Sequence, residues 1–305
     1  MKQIPVLILG VIVCLSGCTL APKYSRPGPA VPEQWPKGNA YPKEQPAANV
    51  VDAPQLKWRE FFTDPKLQQI IQLALENNRD LRLAVLNVEK TRALYGVQQA
   101  ALFPVLDAQG GLTKQRYSSD FLTAGYPKVV EQYTADLGIT AWEIDLFGRI
   151  RSLTKQALEE YLRTEEARRS VQVALISEVV RAYLAIAADE AALNLARSTL
   201  ETQETVYNLV LRQHRVALVN EIDLQRAQTQ VDTARGDLIL YTQRLAQYKN
   251  ALDLLAGSPV PEGLLPIDLA GVTPFKDIFP GLSSTVLLKR PDILAAEHEL
   301  KGAYA

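Results

Sequence analysis

The longest uninterrupted helical pattern in this chain constrains its fold more than any other feature. Neither proline nor glycine occurs between Gly148 and Val216, so the pattern predicts one very long helix. A helix of roughly 65 residues is about 100 Å long at 1.5 Å per residue. A compact domain of 305 residues has no room for such a rod. The sequence therefore predicts an elongated, mainly α-helical protein.

Hydrophobic residues recur at coiled-coil spacing in this helix and in the next one. In the long helix one heptad position holds Val179, Ile186, Leu193, Leu200 and Tyr207, while its companion position is mixed and includes Asp189. In the next helix the apolar residues follow one another at spacings that alternate regularly between three and four residues: Leu224, Ala227, Val231, Ala234, Leu238, Tyr241, Leu245, Tyr248, Leu252 and Leu255. This pattern predicts a coiled-coil seam, in which Ala and Tyr give close but uneven packing.

A short segment from Arg215 to Asn220 joins the two helices. Asn220 is placed as the N-cap of the second helix, and Glu221 and Asp223 put negative charge in its first turn, where it suits the helix dipole. Gly257 and the proline two residues later stop that helix where a C-cap and a breaker belong. We therefore expect an antiparallel helical hairpin.

Two shorter helices are predicted upstream. Asp64-Pro65 is an N-cap residue followed by proline at the first helical position, which predicts a helix start. The next apolar residues share one helix face: Leu67, Ile70, Ile71 and Ala74. Asn77-Asn78 interrupts this helix, a second helix is expected from near Asp80, and Phe103-Pro104 ends it.

Between Val105 and Trp142 the period changes to about two, which predicts two β-strands. One side of the runs holds Leu106, Ala108, Gly110, Leu112, Tyr133, Ala135, Leu137, Ile139 and Ala141, and the other holds Asp107, Gln109, Thr113, Gln115, Thr134, Asp136, Gly138 and Thr140. Each run has about 9 to 11 residues, the length of a tilted strand that crosses an outer membrane. A soluble hairpin packed on helices would show the same alternation, so these residues alone leave both interpretations open.

The N-terminus resembles that of an exported bacterial lipoprotein. Lys2 supplies a positive start, and the apolar run from Ile4 to Leu15 is too short for a bilayer span of roughly 20 helical residues, so residues 1–17 are predicted to be a signal peptide. Leu15-Ser16-Gly17-Cys18 resembles a lipobox, which makes Cys18 the expected lipidation site; a chance cysteine after an ordinary cleavage site is the alternative. Thr19, in place of aspartate, implies delivery to the outer membrane. The proline-rich residues 18–56 are expected to form an extended arm.

The composition argues against several function classes. The 33 basic and 34 acidic residues nearly cancel, so the excess of Lys and Arg that neutralises nucleic-acid phosphates is missing. Neither a phosphate-binding glycine loop nor Cys/His metal spacing occurs, and we expect no cofactor and no metal. His214 and His298 are the two histidines, and neither stands in a catalytic constellation. We therefore expect that the protein is not an enzyme.

A weak internal repeat occurs near the C-terminus. The segment Asp80-Leu81-Arg82-Leu83-Ala84 recurs as Asp292-Ile293-Leu294-Ala295-Ala296, at an offset of 212 residues. The last helical pattern reaches Ala305 without a cap. We therefore expect one complete helix–strand–strand–helix unit followed by the start of a second, with the chain truncated after the first repeat.

Several short stretches together carry a family resemblance. They are the lipobox, Trp58–Pro65 with Leu67, Leu102–Pro104, Trp142–Arg149, Glu221–Leu224, and Lys289–Ile293 with Ala296 and Glu297. The most specific is Trp142-Glu143-Ile144-Asp145-Leu146-Phe147-Gly148-Arg149. In this order they resemble the TolC-like outer-membrane efflux duct family, in the OprM-type lipoprotein branch that serves resistance-nodulation-division pumps.

The resemblance implies a homotrimer that conducts substrates passively. Each full protomer would give four strands to one shared twelve-stranded β-barrel, continued into the periplasm by an α-helical tunnel. The barrel interior would be lined by Asp107, Gln109, Thr113, Gln115, Thr134, Asp136 and Thr140, with Leu106, Leu112, Leu137 and Ile139 facing outer-membrane lipid. The opposite orientation would place Asp136 in hydrocarbon at a cost of kilocalories.

The resemblance also implies two protein partners, an inner-membrane efflux pump and a periplasmic adaptor (membrane fusion) protein. The adaptor would dock on the hairpin turn through Arg215, Val216, Ala217, Leu218, Asn220, Glu221 and Asp223. Ala217 stands where family turns often have glycine. Simple helix capping is the alternative role of Glu221 and Asp223.

The expected organisation has six parts. They are the signal peptide 1–17, the lipidated arm 18–56, first-repeat helices 57–103, two transmembrane strands with their loop 104–142, a tunnel hairpin 143–257, and a linker with the start of the second repeat 258–305. A periplasmic coiled-coil lipoprotein without a pore is the alternative, since heptads and lipobox fit it equally well. The two strand runs and the Trp142–Arg149 match favour the duct.

Overall fold

The computed structural model describes residues 22–28, 56–118, 120, 125, 127–139, 142–275 and 284–305. Their helices and strands are α1 (Trp58–Phe61), α2 (Pro65–Asn77), α3 (Arg79–Ala100), β1 (Leu106–Arg116), β2 (Val129–Ile139), α4 (Arg149–Arg215), α5 (Glu221–Ala256) and α6 (Pro291–Tyr304). Two 3₁₀ turns, Glu262–Leu264 and Ser284–Lys289, lie between α5 and α6. The predicted signal peptide, Cys18, most of the arm and Thr140 lie outside the described residues.

The predicted rod is confirmed as α4, a single helix of 67 residues. By length and composition alone α4 meets the criterion for a helix that could cross a membrane. The core helix of a soluble protein meets the same criterion. Val179, Tyr183 and Ile186 along its middle are fully buried within a core of helices. The apolar character of this part of α4 is therefore explained by helix packing.

The described residues divide into two compact units. The helical unit comprises Pro27–Asn87 and Glu165–Ala295, and the strand unit comprises Met1–Arg26, Val88–Thr164 and Ala296–Ala305.

The core of the helical unit is built on α2. Asp64 caps this helix by accepting hydrogen bonds from the backbone N–H groups of Lys66 and Leu67 at 2.9 and 3.1 Å, with proline at the first helical position. The predicted apolar face is buried: Leu67, Ile70, Ile71 and Ala74. It belongs to the same core as side chains of α4 and α5, and each buried Leu or Ile contributes about 1.5–3 kcal/mol relative to an exposed one.

The predicted coiled-coil seam is confirmed between α4 and α5. All ten seam residues of α5 are buried or half-buried. Ion pairs join Glu190 to Lys249 at 3.4 Å and Glu204 to Arg235 at 3.3 Å, so residue numbers rise on one helix as they fall on the other. The two helices are therefore antiparallel, as expected.

Gly257 ends α5 in the left-handed conformation, with φ of 71°. A Cβ atom at this position would lie 2.4 Å from the backbone oxygen of Asn77. Glycine is thus needed both for the conformation and for the close approach of the α2–α3 junction.

In the strand unit β1 and β2 form an antiparallel pair, in register from Leu106↔Ile139 to Arg116↔Val129. The N-terminal part of α4 contacts α3 through the hydroxyl groups of Thr91 and Thr164, which lie 2.7 Å apart. They contact α6 through His298 Nδ1 and Glu159 Oε2, also at 2.7 Å. Helices α3 and α6 begin 212 residues apart, the offset of the internal repeat.

The most specific sequence stretch, Trp142–Arg149, precedes α4 and supplies its first residue, Arg149. Arg149 Nε donates to Glu143 Oε1 at 2.9 Å, and this bond lowers the pKa of the Glu143 carboxyl. Asp145 accepts from the backbone N–H of Arg151 at 2.9 Å, and Gly148 has φ of 83°. These hydrogen bonds tie the residues just before α4 to its first turn.

Candidate functional site

The strand hairpin has one apolar and one polar face. Because directly opposed residues of an antiparallel pair point to the same side, the register assigns each side chain to a face. The apolar face carries the pairs Leu106–Ile139, Ala108–Leu137, Gly110–Ala135 and Leu112–Tyr133. The polar face carries Asp107–Gly138, Gln109–Asp136, Gly111–Thr134, Thr113–Gln132 and Gln115–Val130.

All the described residues predicted to line a lumen thus share one face, and the four predicted to meet lipid share the other. Thr140 would continue the polar face by alternation, but it lies outside the described residues. Every residue of both strands is exposed except Asp107, which is half-buried. The two faces are therefore not covered by other described parts of this chain.

The apolar face ends at a charged pair. Lys114 and Glu131 are opposed in the register and form an ion pair. The Tyr133 hydroxyl donates to Glu131 at 3.3 Å, so the last of the apolar pairs contributes an aromatic side chain next to the charged pair. Aromatic residues occupy the same boundary position in membrane barrels.

A second candidate site is the turn between α4 and α5, called here the tip and comprising His214–Asp223. The backbone N–H of Leu218 donates to the Gln213 carbonyl oxygen, and that of Ala217 to the His214 carbonyl oxygen, both at 2.9 Å. These two bonds form a Schellman motif, which satisfies carbonyl groups at the end of α4. Ala217 has φ of 59°, the left-handed conformation that usually selects glycine.

The predicted cap of α5 is confirmed. Asn220 Oδ1 accepts from the backbone N–H of Asp223 at 2.9 Å, and Glu221 and Asp223 lie in the first turn. Capping therefore accounts for part of the polar pattern of the tip, without assigning it a partner.

The tip exposes apolar side chains to solvent. The exposed fractions are 66% for Val216, 74% for Leu218 and 62% for Ile222. Three such side chains on one turn form a small apolar surface, which is typical of a contact site. The structure thus brings the predicted tip residues together and adds Ile222, which the sequence analysis did not assign.

His214 is a second tip residue that the sequence analysis did not assign. Its Nδ1 atom lies 3.2 Å from the carbonyl oxygen of Val219, and its Nε2 atom lies 3.3 Å from Glu221 Oε2. A histidine in the last turn of a helix suits the helix dipole, which was the available sequence signal. Among the described residues, no three His, Cys, Asp or Glu side chains are grouped to hold a metal ion.

Comparison with known proteins places these features in one family. The family model described as outer membrane efflux protein matches residues 70–258. The probable efflux pump outer membrane protein TtgC of Pseudomonas putida is 45% identical over 292 residues, which cover 95% of this chain and 60% of that protein. The outer membrane protein OprJ of Pseudomonas aeruginosa is 35% identical, over 97% of this chain and 60% of its own length.

Solved structures show the same fold. The open state of the Neisseria gonorrhoeae MtrE outer membrane channel is similar with a TM-score of 0.75 at 35% identity, covering 94% of this chain and 63% of that one. A membrane protein from Pseudomonas aeruginosa gives a TM-score of 0.76 at 34% identity. This chain spans about three fifths of the length of TtgC and OprJ. The chain belongs to the outer membrane efflux protein family.

Proposed function

We propose that this chain forms part of an outer-membrane channel subunit, which passively conducts substrates expelled by an inner-membrane pump. The observation that carries the proposal is the two-faced hairpin. Leu106, Leu112, Leu137 and Ile139 lie on one face, and Asp107, Gln109, Thr113, Gln115, Thr134 and Asp136 lie on the other. An apolar outside and a polar inside are what a barrel wall needs between lipid and an aqueous bore. Conduction of this kind makes and breaks no bond, so the proposed role is not enzymatic.

The hairpin requires further strands. The described sheet has two strands, so β1 and β2 each leave one edge unpaired. Unpaired backbone groups are not tolerated against lipid, which means that a closed barrel must recruit strands from elsewhere. A homotrimer with a shared barrel, as the family resemblance implies, would supply them.

Exposed apolar side chains on the helices also favour assembly. Leu86 and Leu94 of α3, Leu195 and Leu209 of α4, and Ile239 of α5 are each about half exposed or more. Exposed apolar residues mark a contact surface where they form a contiguous patch. The proposed tunnel would cover them with helices of neighbouring protomers.

Location in the outer membrane fits the names of the similar proteins. TtgC and OprJ are named outer membrane proteins, and MtrE an outer membrane channel. A lipid on Cys18 would tether this chain to the same membrane, and the hairpin would insert into it. The signal peptide, arm and domain bounds given above stay predictions.

The tip is proposed to dock a periplasmic adaptor protein. Support comes from the exposed Val216, Leu218 and Ile222, with the polar Arg215, Asn220, Glu221 and Asp223 around them. Apolar residues encircled by polar ones are the usual composition of a protein contact.

Two experiments test the proposal on the full-length natural protein. Purified protein inserted into planar bilayers should give single-channel conductance. In gel electrophoresis the same protein should migrate as a heat-resistant trimer. A monomer that never conducts would contradict the channel.

The docking role has its own test. A Leu218→Cys variant should crosslink to the adaptor encoded beside the same pump, while a Ser198→Cys control, at an exposed position of α4 away from the tip, should not. A working assembled pump without any Leu218 crosslink would contradict docking at the tip and leave the channel unaffected.

A further inference from the structure

Residues 22–28, the part of the N-terminal arm that the structure describes, include an arginine that is bound to α6. Arg26 donates two hydrogen bonds to the Glu297 carboxylate, one from Nε to Oε1 at 2.9 Å and one from the second guanidinium arm to Oε2. Arginine–carboxylate pairs with two parallel bonds are stronger and geometrically more specific than single bonds. The Glu297 side chain keeps 10% of its surface exposed, so the carboxylate is largely covered.

Tyr24 makes a second contact between the arm and α6. Its ring packs edge to face on Tyr304, with ring centroids 5.9 Å apart, and the Lys301 ammonium group lies 5.5 Å from the centroid of the Tyr24 ring. Both geometries are attractive. Glu297, Lys301 and Tyr304 are spaced by four and three residues, so they share one face of α6. The arm therefore contacts this face along two helical turns.

The neighbouring face of α6 packs on the N-terminal part of α4. His298 Nδ1 is hydrogen-bonded to Glu159 Oε2 at 2.7 Å. One turn further along α6, a Cβ atom at Gly302 would lie 3.6 Å from the Glu159 Cβ atom and 3.8 Å from the Gln156 carbonyl oxygen. Residue numbers thus rise on α6 as they fall on α4. The two helices are antiparallel, and α6 runs toward the start of α4.

The start of α4 is also the end to which the strand hairpin is attached. β2 precedes α4, and β1 follows α3, each across a short segment. Helix α3 is antiparallel to α4, because Thr91 contacts Thr164 at 2.7 Å whereas the Gln98 carbonyl oxygen accepts from the Thr154 hydroxyl at 3.4 Å. Both strands therefore leave the helices at one end, called here the strand end. Helix α6 runs toward the strand end.

The arm runs in the opposite direction to α6. Arg26 contacts Glu297, whereas Tyr24, which is nearer to the N-terminus, contacts Tyr304 at the other end of the same face. Followed back from Arg26 to Tyr24, the arm therefore points toward the strand end. Cys18 lies six residues before Tyr24, and six residues span at most about 22 Å. This length limits how far a lipid on Cys18 can be from the strand end.

We propose that Tyr24 and Arg26 form a clasp on α6, which aims the lipid anchor at the membrane that the strand hairpin enters. This inference rests on the outer-membrane channel proposed above and on lipidation of Cys18. Both clasp residues act through the lipid, as positioning residues. The effective concentration of a tethered group falls roughly as the −3/2 power of tether length, so a tether about five times longer lowers it about tenfold. Opening the clasp should therefore slow entry of the hairpin into the membrane.

Spin-label distances test the clasp itself in the full-length natural protein in detergent. Labels are attached at Lys23→Cys and Ala101→Cys, two exposed positions on the arm and just after α3. We expect one narrow distance distribution. Arg26→Glu should broaden it, and Arg26→Glu combined with Glu297→Arg should narrow it again. A distribution that is as broad without Arg26→Glu as with it would overturn the clasp.

Insertion kinetics test whether the clasp acts through the lipid. Lipidated protein and an unlipidated Cys18→Ser form are refolded into lipid vesicles, each with and without Arg26→Glu, and protection of the hairpin from protease is followed over time. Arg26→Glu should slow insertion of the lipidated protein about tenfold and change that of the unlipidated form by less than about twofold. An equal effect on both forms, or none on the lipidated form, would overturn the positioning role.

Arg290→Glu is the matched control for these kinetics. Arg290 also donates two hydrogen bonds to one carboxylate, but its partner Asp292 is two residues away, so this pair does not hold the arm. Arg290→Glu should affect the lipidated and unlipidated forms alike, and an effect confined to the lipidated form would contradict the clasp.

Conductance of the inserted wild type tests the channel separately. Insertion that is slowed by Arg26→Glu only when lipid is present, without any conductance, would remove the channel and leave the clasp. Conductance without a lipid-dependent effect of Arg26→Glu would remove the clasp and leave the channel.

Discussion

Arginine placed on the apolar face of the strand hairpin should destabilise the membrane-inserted protein far more than arginine placed on the polar face. The chain offers a matched pair of positions for this comparison. Ala135 pairs with Gly110 on the apolar face, and Gln109 pairs with Asp136 on the polar face, in the next register position. The two substitutions therefore lie on opposite faces of the hairpin but at nearly the same depth in the membrane.

The magnitude follows from depth. The apolar pairs run from Leu106 to Leu112, about 20 Å along a strand at 3.4 Å per residue, with Ala135 near the middle. Arginine on the lipid face near the bilayer midplane costs about 2–4 kcal/mol. Gln109→Arg would face water and stand opposite the Asp136 carboxylate, so its effect should stay within about 1 kcal/mol.

The free energy of unfolding is measured by urea titration of both variants and the wild type, refolded into lipid vesicles. Ala135→Arg should lose about 2–4 kcal/mol more than Gln109→Arg. Equal losses, or a larger loss for Gln109→Arg, would refute the assignment of the faces.

Two further predictions concern the stability of parts outside the strand hairpin. Gly257→Ala should lower the free energy of unfolding by about 2–4 kcal/mol, because of strain at φ of 71° and because the new Cβ clashes with the Asn77 oxygen. Gly236→Ala, where a Cβ meets nothing within 4 Å, should raise it by about 0.5–1 kcal/mol. Chemical denaturation of both variants measures these changes, and similar effects of the two substitutions would contradict the prediction. A hydrogen bond from Arg26 lowers the pKa of Glu297 from 4.5 to about 2, so the folded state is stabilised at pH values above 4.5 and loses this contribution as pH falls towards 2. Glu297→Gln should therefore cost about 1 kcal/mol at pH 7 and little near pH 2, and a loss independent of pH would contradict the role of this ion pair.

Helix boundaries could be predicted because their signals are local. Asp64, Asn220 and Gly257 act within three or four residues of themselves, and each caps the helix that its sequence context indicated. The heptad seam is also a local pattern, and all ten of the α5 residues that it predicted to face a partner are buried or half-buried. The alternation of β1 and β2 predicted the two faces for the same reason.

Features that depend on distant contacts could not be predicted in this way. The exact pairing of Leu106 with Ile139 depends on the loop that joins the strands, which carries no decisive turn signal. The contact of the His214 ring with the Val219 carbonyl oxygen requires a turn geometry that brings Val219 back to the ring. Alternation alone also could not distinguish a membrane hairpin from a soluble one, since both bury one face.

Accessibility of spin labels along the hairpin tests the central claim most directly. Single labels at each position from 106 to 112 and from 133 to 139 are examined in outer membranes for collision with oxygen, which enters lipid, and with a water-soluble nickel chelate. We expect oxygen accessibility to alternate with a period of two, high at Leu106, Ala108, Leu112, Ala135 and Leu137, with nickel accessibility in the opposite phase. High nickel accessibility at every position would contradict a membrane wall.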